Sequence, residues 1–194
     1  MVGILLGMRK HNWSNVPLVI METEGANSFN HAVLAKKVVT LDSIASVATS
    51  LGSLSIQKEL LEMSHSGEFD IISGVVSDRS AINSCLQFAN DHRMLVEPAC
   101  GAGLSSIYSD TFINTDSPLD SIKSDNQKPI VLIVCGGEIV STELLQKWKT
   151  QFALWPNKHK TLGIEYIILI LSIYLQKLFD EYEKLTLGIF TFYS

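Results

Sequence analysis

The chain has 194 residues, of which 46% are apolar and 18% charged, with a formal net charge of -5. That length suits one domain with a sizeable core, and the balance excludes a disordered chain, which would be poor in aliphatics and dominated by net charge. The acids are scattered and there is no basic stripe to release counterions from phosphates, so nucleic acid is excluded as a partner. The three cysteines, Cys85, Cys100 and Cys135, are odd in number and form no CxxC pair. They argue against a disulfide framework or a thiolate zinc site and for a reducing, cytoplasmic setting.

Short β-rich runs alternate with amphipathic stretches along the chain, the pattern of an α/β domain. The apolar run Val2 to Leu6 has no basic residues ahead of it and no cleavage site, so no secretory signal is expected. Val16 to Met21 reads as a buried strand with Pro17 near its start, where a missing donor is tolerated. Phe29, Ala32, Val33 and Ala35 share one face of a helix over 27–37, closed by Lys36 and Lys37. Residues 40–55 hold no strong period and read as loop with one helical turn. Gln57 to Met63 reads as a short helix and Phe69 to Val76 as a second strand.

Ser77 is the expected N-cap of a helix reaching His92, in which Ile82, Cys85, Leu86 and Ala89 recur three and four apart. Met94 to Val96 reads as a brief strand, and Pro98 opens a helix through Tyr108. Residues 114–127, rich in Ser and Asp, form the clearest loop. Pro129 to Val134 is the strongest strand candidate and is expected at the sheet centre, being apolar throughout as a strand covered on both faces should be. Cys135-Gly136-Gly137 ends it, and Ser141 starts a helix to about Phe152.

Three blocks carry a family resemblance: Met21-Glu22-Thr23-Glu24-Gly25-Ala26-Asn27-Ser28-Phe29, Val96-Glu97-Pro98-Ala99-Cys100-Gly101-Ala102 and Val131-Leu132-Ile133-Val134-Cys135-Gly136-Gly137. In order and spacing they resemble the second half of pyridoxal-phosphate-dependent L-serine/L-threonine dehydratases of the cytosolic fungal and animal type. The resemblance covers residues 1–154 and implies part of the large cofactor domain of a tryptophan-synthase-β-like, fold type II protein, an incomplete sheet flanked by helices. Residues 3–14 resemble the helix that follows the family's glycine-rich phosphate loop. The Schiff-base lysine and that loop are therefore expected to lie outside this chain.

The resemblance implies that Cys135 faces the pyridine nitrogen of pyridoxal 5'-phosphate (PLP). A thiol with a reference pKa near 8.5 would not hold that nitrogen protonated, which favours prompt β-elimination over transamination. From the residues alone, Cys135 reads instead as a small buried residue at a tight turn. Gly136 and Gly137 would let the backbone pass under the ring and adopt positive φ, or simply form an ordinary strand-to-helix turn. Glu138 and Ile139 depart from the family, which usually has a small polar residue there. The resemblance also implies a monovalent-cation site, suited to K+, at Glu22 and the carbonyls of Ala26, Leu51 and Ser53. On its own Glu22 is a surface or capping acid. The five histidines, His11, His31, His65, His92 and His159, show no metal-binding spacing.

Past Trp155 the resemblance stops. Ile164, Ile168, Leu169 and Leu171 are expected on one helix face, with Tyr166, Ile167, Ile170 and Ile173 on the others. Such an all-round apolar helix needs a cover that the rest of the chain does not offer. The stretch from Leu162 to Leu175 contains Glu165 and is too short to cross a bilayer, so no membrane partner is expected.

Three readings follow. In the first, the chain is a truncated dehydratase, inactive alone, whose intact relatives would act on L-serine or L-threonine. Lys36, Lys37 and Lys58 do not stand where the family's catalytic lysine does. In the second, it is a non-catalytic subunit or complementing fragment that docks on an intact dehydratase or on its amino-terminal half; a homodimer is the other partnership expected. In the third, it does not fold stably at all.

Overall fold

The computed structural model describes residues 1–108, 130–134, 136–154, 166–170 and 187–190, the last two segments as backbone strands. The elements are α1 (Val2–Lys10), β1 (Leu18–Thr23), α2 (Ser28–Ala35), a 3-10 turn (Thr49–Leu51), α3 (Lys58–His65), β2 (Ile71–Val76) and α4 (Asp78–His92). They continue with α5 (Pro98–Tyr108), β3 (Ile130–Val134), α6 (Thr142–Gln151), β4 (Tyr166–Ile170) and β5 (Leu187–Phe190). The five strands form one sheet in the order β2-β1-β5-β3-β4, and every pairing is parallel.

Parallel sheets are buried on both faces, so their strands are apolar throughout rather than alternating. All six residues of β1 and all five of β3 are buried. The strand's period of two then deals side chains to two cores. Leu18 and Ile20 of β1 and Ile133 of β3 join Leu5 and Met8 of α1, Phe29 of α2 and Leu60 and Met63 of α3. Val19 and Met21 of β1 and Ile130, Leu132 and Val134 of β3 join Ile82, Cys85 and Phe88 of α4, Ala99 and Leu104 of α5, and Leu145 and Trp148 of α6. The result is three layers, helix on sheet on helix.

Local chemistry sets the helix ends. Ser77 accepts from the Ser80 amide at the start of α4, and Ser141 accepts from the Leu144 amide at the start of α6. Each side-chain oxygen satisfies a donor that the first helical turn leaves open. Arg93 closes α4 in the left-handed conformation. The expected α/β class holds.

Three sequence expectations are corrected. Met94 to Val96 form no strand; they connect α4 to α5, and the Leu95 carbonyl lies against Gly137 instead of a strand edge. The apolar stretch after Trp155 contributes a strand, β4, where a helix was expected, because β3 offers it five consecutive parallel pairings from Ile130↔Tyr166 to Val134↔Ile170. The cover thought absent is this sheet. β3 is an interior strand, but the sheet centre is β5, which lies between β1 and β3. The expected loop at 114–127 lies outside the described residues, as does Cys135.

Candidate active site at the carboxyl ends of the strands

Ligands of open α/β sheets bind beyond the carboxyl ends of the strands, and there the three sequence blocks meet. The turn after β3 approaches the entry to α5: the Cys100 Sγ lies 4.0 Å from the Gly136 carbonyl oxygen. A Cβ on Gly137 would stand 2.1 Å from the Leu95 carbonyl oxygen. The expected positive φ is present at Gly136, at 57°, and is not adopted by Gly137. Gly137 is required by this packing on residues 95 and 96, a role that spacing could not reveal. Glu138 and Ile139 are exposed in the same turn. Cys85, buried within α4, donates to the Glu97 carbonyl at 3.4 Å, and burial pushes its thiol far up, so it is an inert packing group.

Glu22, on β1, is buried, and its two carboxylate oxygens accept from the amides of Phe29 at 3.0 Å and Asn30 at 2.8 Å. It therefore caps α2 from a neighbouring strand, as the residue-level reading of a capping acid allowed. Burial pushes its pKa up to about 7, partly opposed by those two amides. Ala26 and Leu51 share one core cluster, and the Ala45 amide joins their segments by donating to the Gly25 carbonyl at 2.9 Å. The Leu51 carbonyl accepts from the Ser53 amide at 2.7 Å, and the Ser53 hydroxyl donates to the Ser55 carbonyl at 2.5 Å.

A tether that sequence reasoning missed holds this loop. Asp78, first residue of α4, accepts from the Ser46 hydroxyl at 2.5 Å and the Val47 amide at 3.0 Å. The Ser46 oxygen lies 2.8 Å from the Thr23 hydroxyl and accepts from the Ala48 amide at 3.0 Å. Since Ser46 gives its proton to Asp78, Thr23 must be the donor to Ser46. Residues 46–48 are thereby pinned to the ends of β1 and β2. Asp78→Ala leaves the Ser46 hydroxyl and the Val47 amide without this acceptor and is expected to cost about 2 kcal/mol in urea unfolding. A change below about 0.5 kcal/mol would show that the tether does not hold the loop.

A phosphorylated cofactor needs an anion nest of open amides. At the starts of the helices that follow β1, β2 and β3, acceptors of the chain itself already take some of these amides or stand beside them. The α2 amides are taken by Glu22, α4 begins with Ser77 and Asp78, and α6 begins with Ser141 and Glu143. Lys36 and Lys37 are exposed beyond α2, and exposed Lys58 pairs with Glu62 at 2.8 Å. The described residues thus do not by themselves fit the whole of a PLP molecule.

A parallel sheet covered by helices on both faces, with these glycine turns at its carboxyl edge, defines an open α/β protein, and comparison with known proteins gives its family. Residues 1–136 match the pyridoxal-phosphate dependent enzyme family, and the chain belongs to it. It is 43% identical over 153 residues to a serine dehydratase-like protein of Rattus norvegicus, covering 78% of this chain and 45% of the relative. It is 39% identical over 158 residues to the L-serine dehydratase/L-threonine deaminase of the same organism, covering 78% of this chain and 41% of that one. The structure is similar to a fungal L-serine ammonia-lyase from Rhizomucor miehei, with a TM-score of 0.64 and 28% identity over 77% of this chain and 45% of that one. The chain thus spans less than half the length of these relatives. No helix among the described residues is long and apolar enough to cross a membrane.

Proposed function

We propose that residues 1–154 are a portion of the cofactor domain of a PLP-dependent L-serine dehydratase, which converts L-serine to pyruvate and ammonia, and that these 194 residues do not turn over L-serine by themselves. The observation that carries this reading is the 43% identity to a serine dehydratase-like protein, set beside helix N-termini already filled by Glu22, Ser77 and Ser141. The first supports the substrate class. The second supports inactivity, because among the described residues the helix starts that follow β1, β2 and β3 carry acceptors where a phosphate would need open amides. When bound, PLP supplies an electron sink for loss of the α-proton and β-hydroxyl. Cys135, Gly136 and Gly137 would line its ring, and Glu22 with the carbonyls of Ala26, Leu51 and Ser53 would hold K+ beneath the site. Residues 155–194 lie outside this portion yet lend the sheet β4 and β5. The buried, unbridged Cys85 suits a reducing cytoplasm.

The test is pyruvate release from L-serine by the purified chain with excess PLP and K+. The expected result is no release above background from the chain alone. Turnover by the chain alone would overturn this reading and require another lysine to do the chemistry.

A second reading, a half-enzyme completed by a separate amino-terminal dehydratase fragment, is favoured by the central position of β5. Release of pyruvate only when that fragment is added would select it.

A further inference from the structure

The strands β1 and β3 both lie within the family match at residues 1–136, yet they do not pair with each other. They stand one strand apart, and the strand between them, β5, comes from outside the match. We infer that the slot between β1 and β3 is a strand-accepting site for the amino-terminal portion of a dehydratase chain, and that β5 is an internal plug competing for it. This inference rests on the reading of the chain as part of a dehydratase cofactor domain.

The slot cannot stand empty in any folded form. Leu18, Val19 and Ile20 on one side and Ile130, Val131 and Leu132 on the other are all buried, and buried backbone donors and acceptors need partners. Helix α1 roofs it, since Leu5 and Met8 share a core with Leu18 and Ile20 from one wall and Ile133 from the other. Relatives that carry the matched segment need a strand here, and more than half of the rat relative lies outside the match and could supply it.

The plug is short. β5 has four residues, pairing with Leu18, Val19 and Ile20 of six-residue β1 and with Ile130, Val131 and Leu132 of five-residue β3. Among the described residues, no strand lies between Met21–Thr23 and Ile133–Val134, the walls nearest the candidate site. A strand long enough to reach Thr23 and Val134 makes every pairing that β5 makes and several more. Its advantage is opposed only by the effective concentration of a tethered competitor.

The full chain carrying Val19→Cys and Ile189→Cys provides the test, because these positions are Cα partners across β1 and β5. Oxidation locks the plug in place and reduction frees it. The probe is the amino-terminal portion of the rat serine dehydratase-like protein, outside the matched segment, followed by sedimentation.

The reduced chain should bind that fragment at least about tenfold more tightly than the oxidised chain. Equal affinity would overturn the plug while leaving the dehydratase reading intact, and binding to neither form would overturn the strand-accepting site. Pyruvate release by the chain alone would strike the dehydratase reading instead. Hydrogen exchange on the unsubstituted chain covers the case of a misfolded variant. On adding the fragment, the amides of Gly188 to Phe190 should lose protection while those of Val19 and Leu132 keep it. Retained protection of β5 in the complex would overturn the inference.

Discussion

Gly101→Ala is expected to lower the unfolding free energy by about 3 kcal/mol, at the upper end of what overpacking usually costs. A Cβ on Gly101 would stand 2.2 Å from the Ala81 carbonyl oxygen, 2.6 Å from the Cys85 Sγ and 2.9 Å from the Ala81 carbonyl carbon. The obstacle is backbone, so no rotamer change relieves it. Helix α5 would have to lift from α4, which would also disturb its packing on β1 and β3. At 2–4 °C per kcal/mol for a chain of this size, the thermal midpoint should fall by about 10 °C. Gly3 provides the control, since nothing lies within 4 Å of a Cβ there and it sits exposed in α1. Gly3→Ala should stabilise by about 0.5–1 kcal/mol through the lower entropy cost of ordering alanine. Urea titrations showing Gly101→Ala within 1 kcal/mol of the unsubstituted chain would refute the close helix contact.

The second large effect is a loss of stability with rising pH that comes from Glu22. Its folded pKa is raised to about 7 from a model-compound value of 4.5. Between those two values the folded state therefore holds a proton that the unfolded chain has released. Stability from this group is complete below pH 4.5 and is lost as pH rises through 7, amounting to about 3 kcal/mol by pH 8. Thermal midpoints in buffer free of alkali ions should fall by about 5–10 °C between pH 5 and pH 8. Glu22→Gln should flatten that slope, because the amide has no proton to release. At pH 8 the proposed K+ site adds a further signature: K+ should raise the midpoint of the unsubstituted chain and leave that of Glu22→Gln unmoved. If the variant keeps the full pH slope, another group is responsible.

What was legible in the chain followed from how local its cause is. Helix α4 could be bounded at both ends because Ser77 caps it and Ile82, Cys85 and Ala89 repeat at helical spacing. Strand β3 was legible because an unbroken apolar run has few other uses. Residues 166–170 were misread because a short apolar run satisfies strand and helix alike, and only the neighbouring edge of β3 decides between them. Leu-Gly-Ile-Phe at 187–190 carries no period at all, so its central position is purely a tertiary outcome.

The site divides in the same way. Glu22 was legible as a capping acid, but its depth depends on the layers above and below it. The Thr23–Ser46–Asp78 tether joins three distant polar residues of unremarkable type, and no spacing rule reaches it. The constraint on Gly137 comes from residues 95 and 96, which meet it only after folding.

The position of β5 also sets the order in which the sheet can be completed. Leu18 pairs with Gly188, a contact spanning about 170 residues, and such non-local pairings must close a long loop before they repay it. During synthesis β1 emerges early, and both walls of the slot are made before their neighbour exists. The nascent chain therefore passes through a period with two parallel edges exposed. A chaperone that shields strand edges should bind it most strongly just before Leu187 leaves the ribosome.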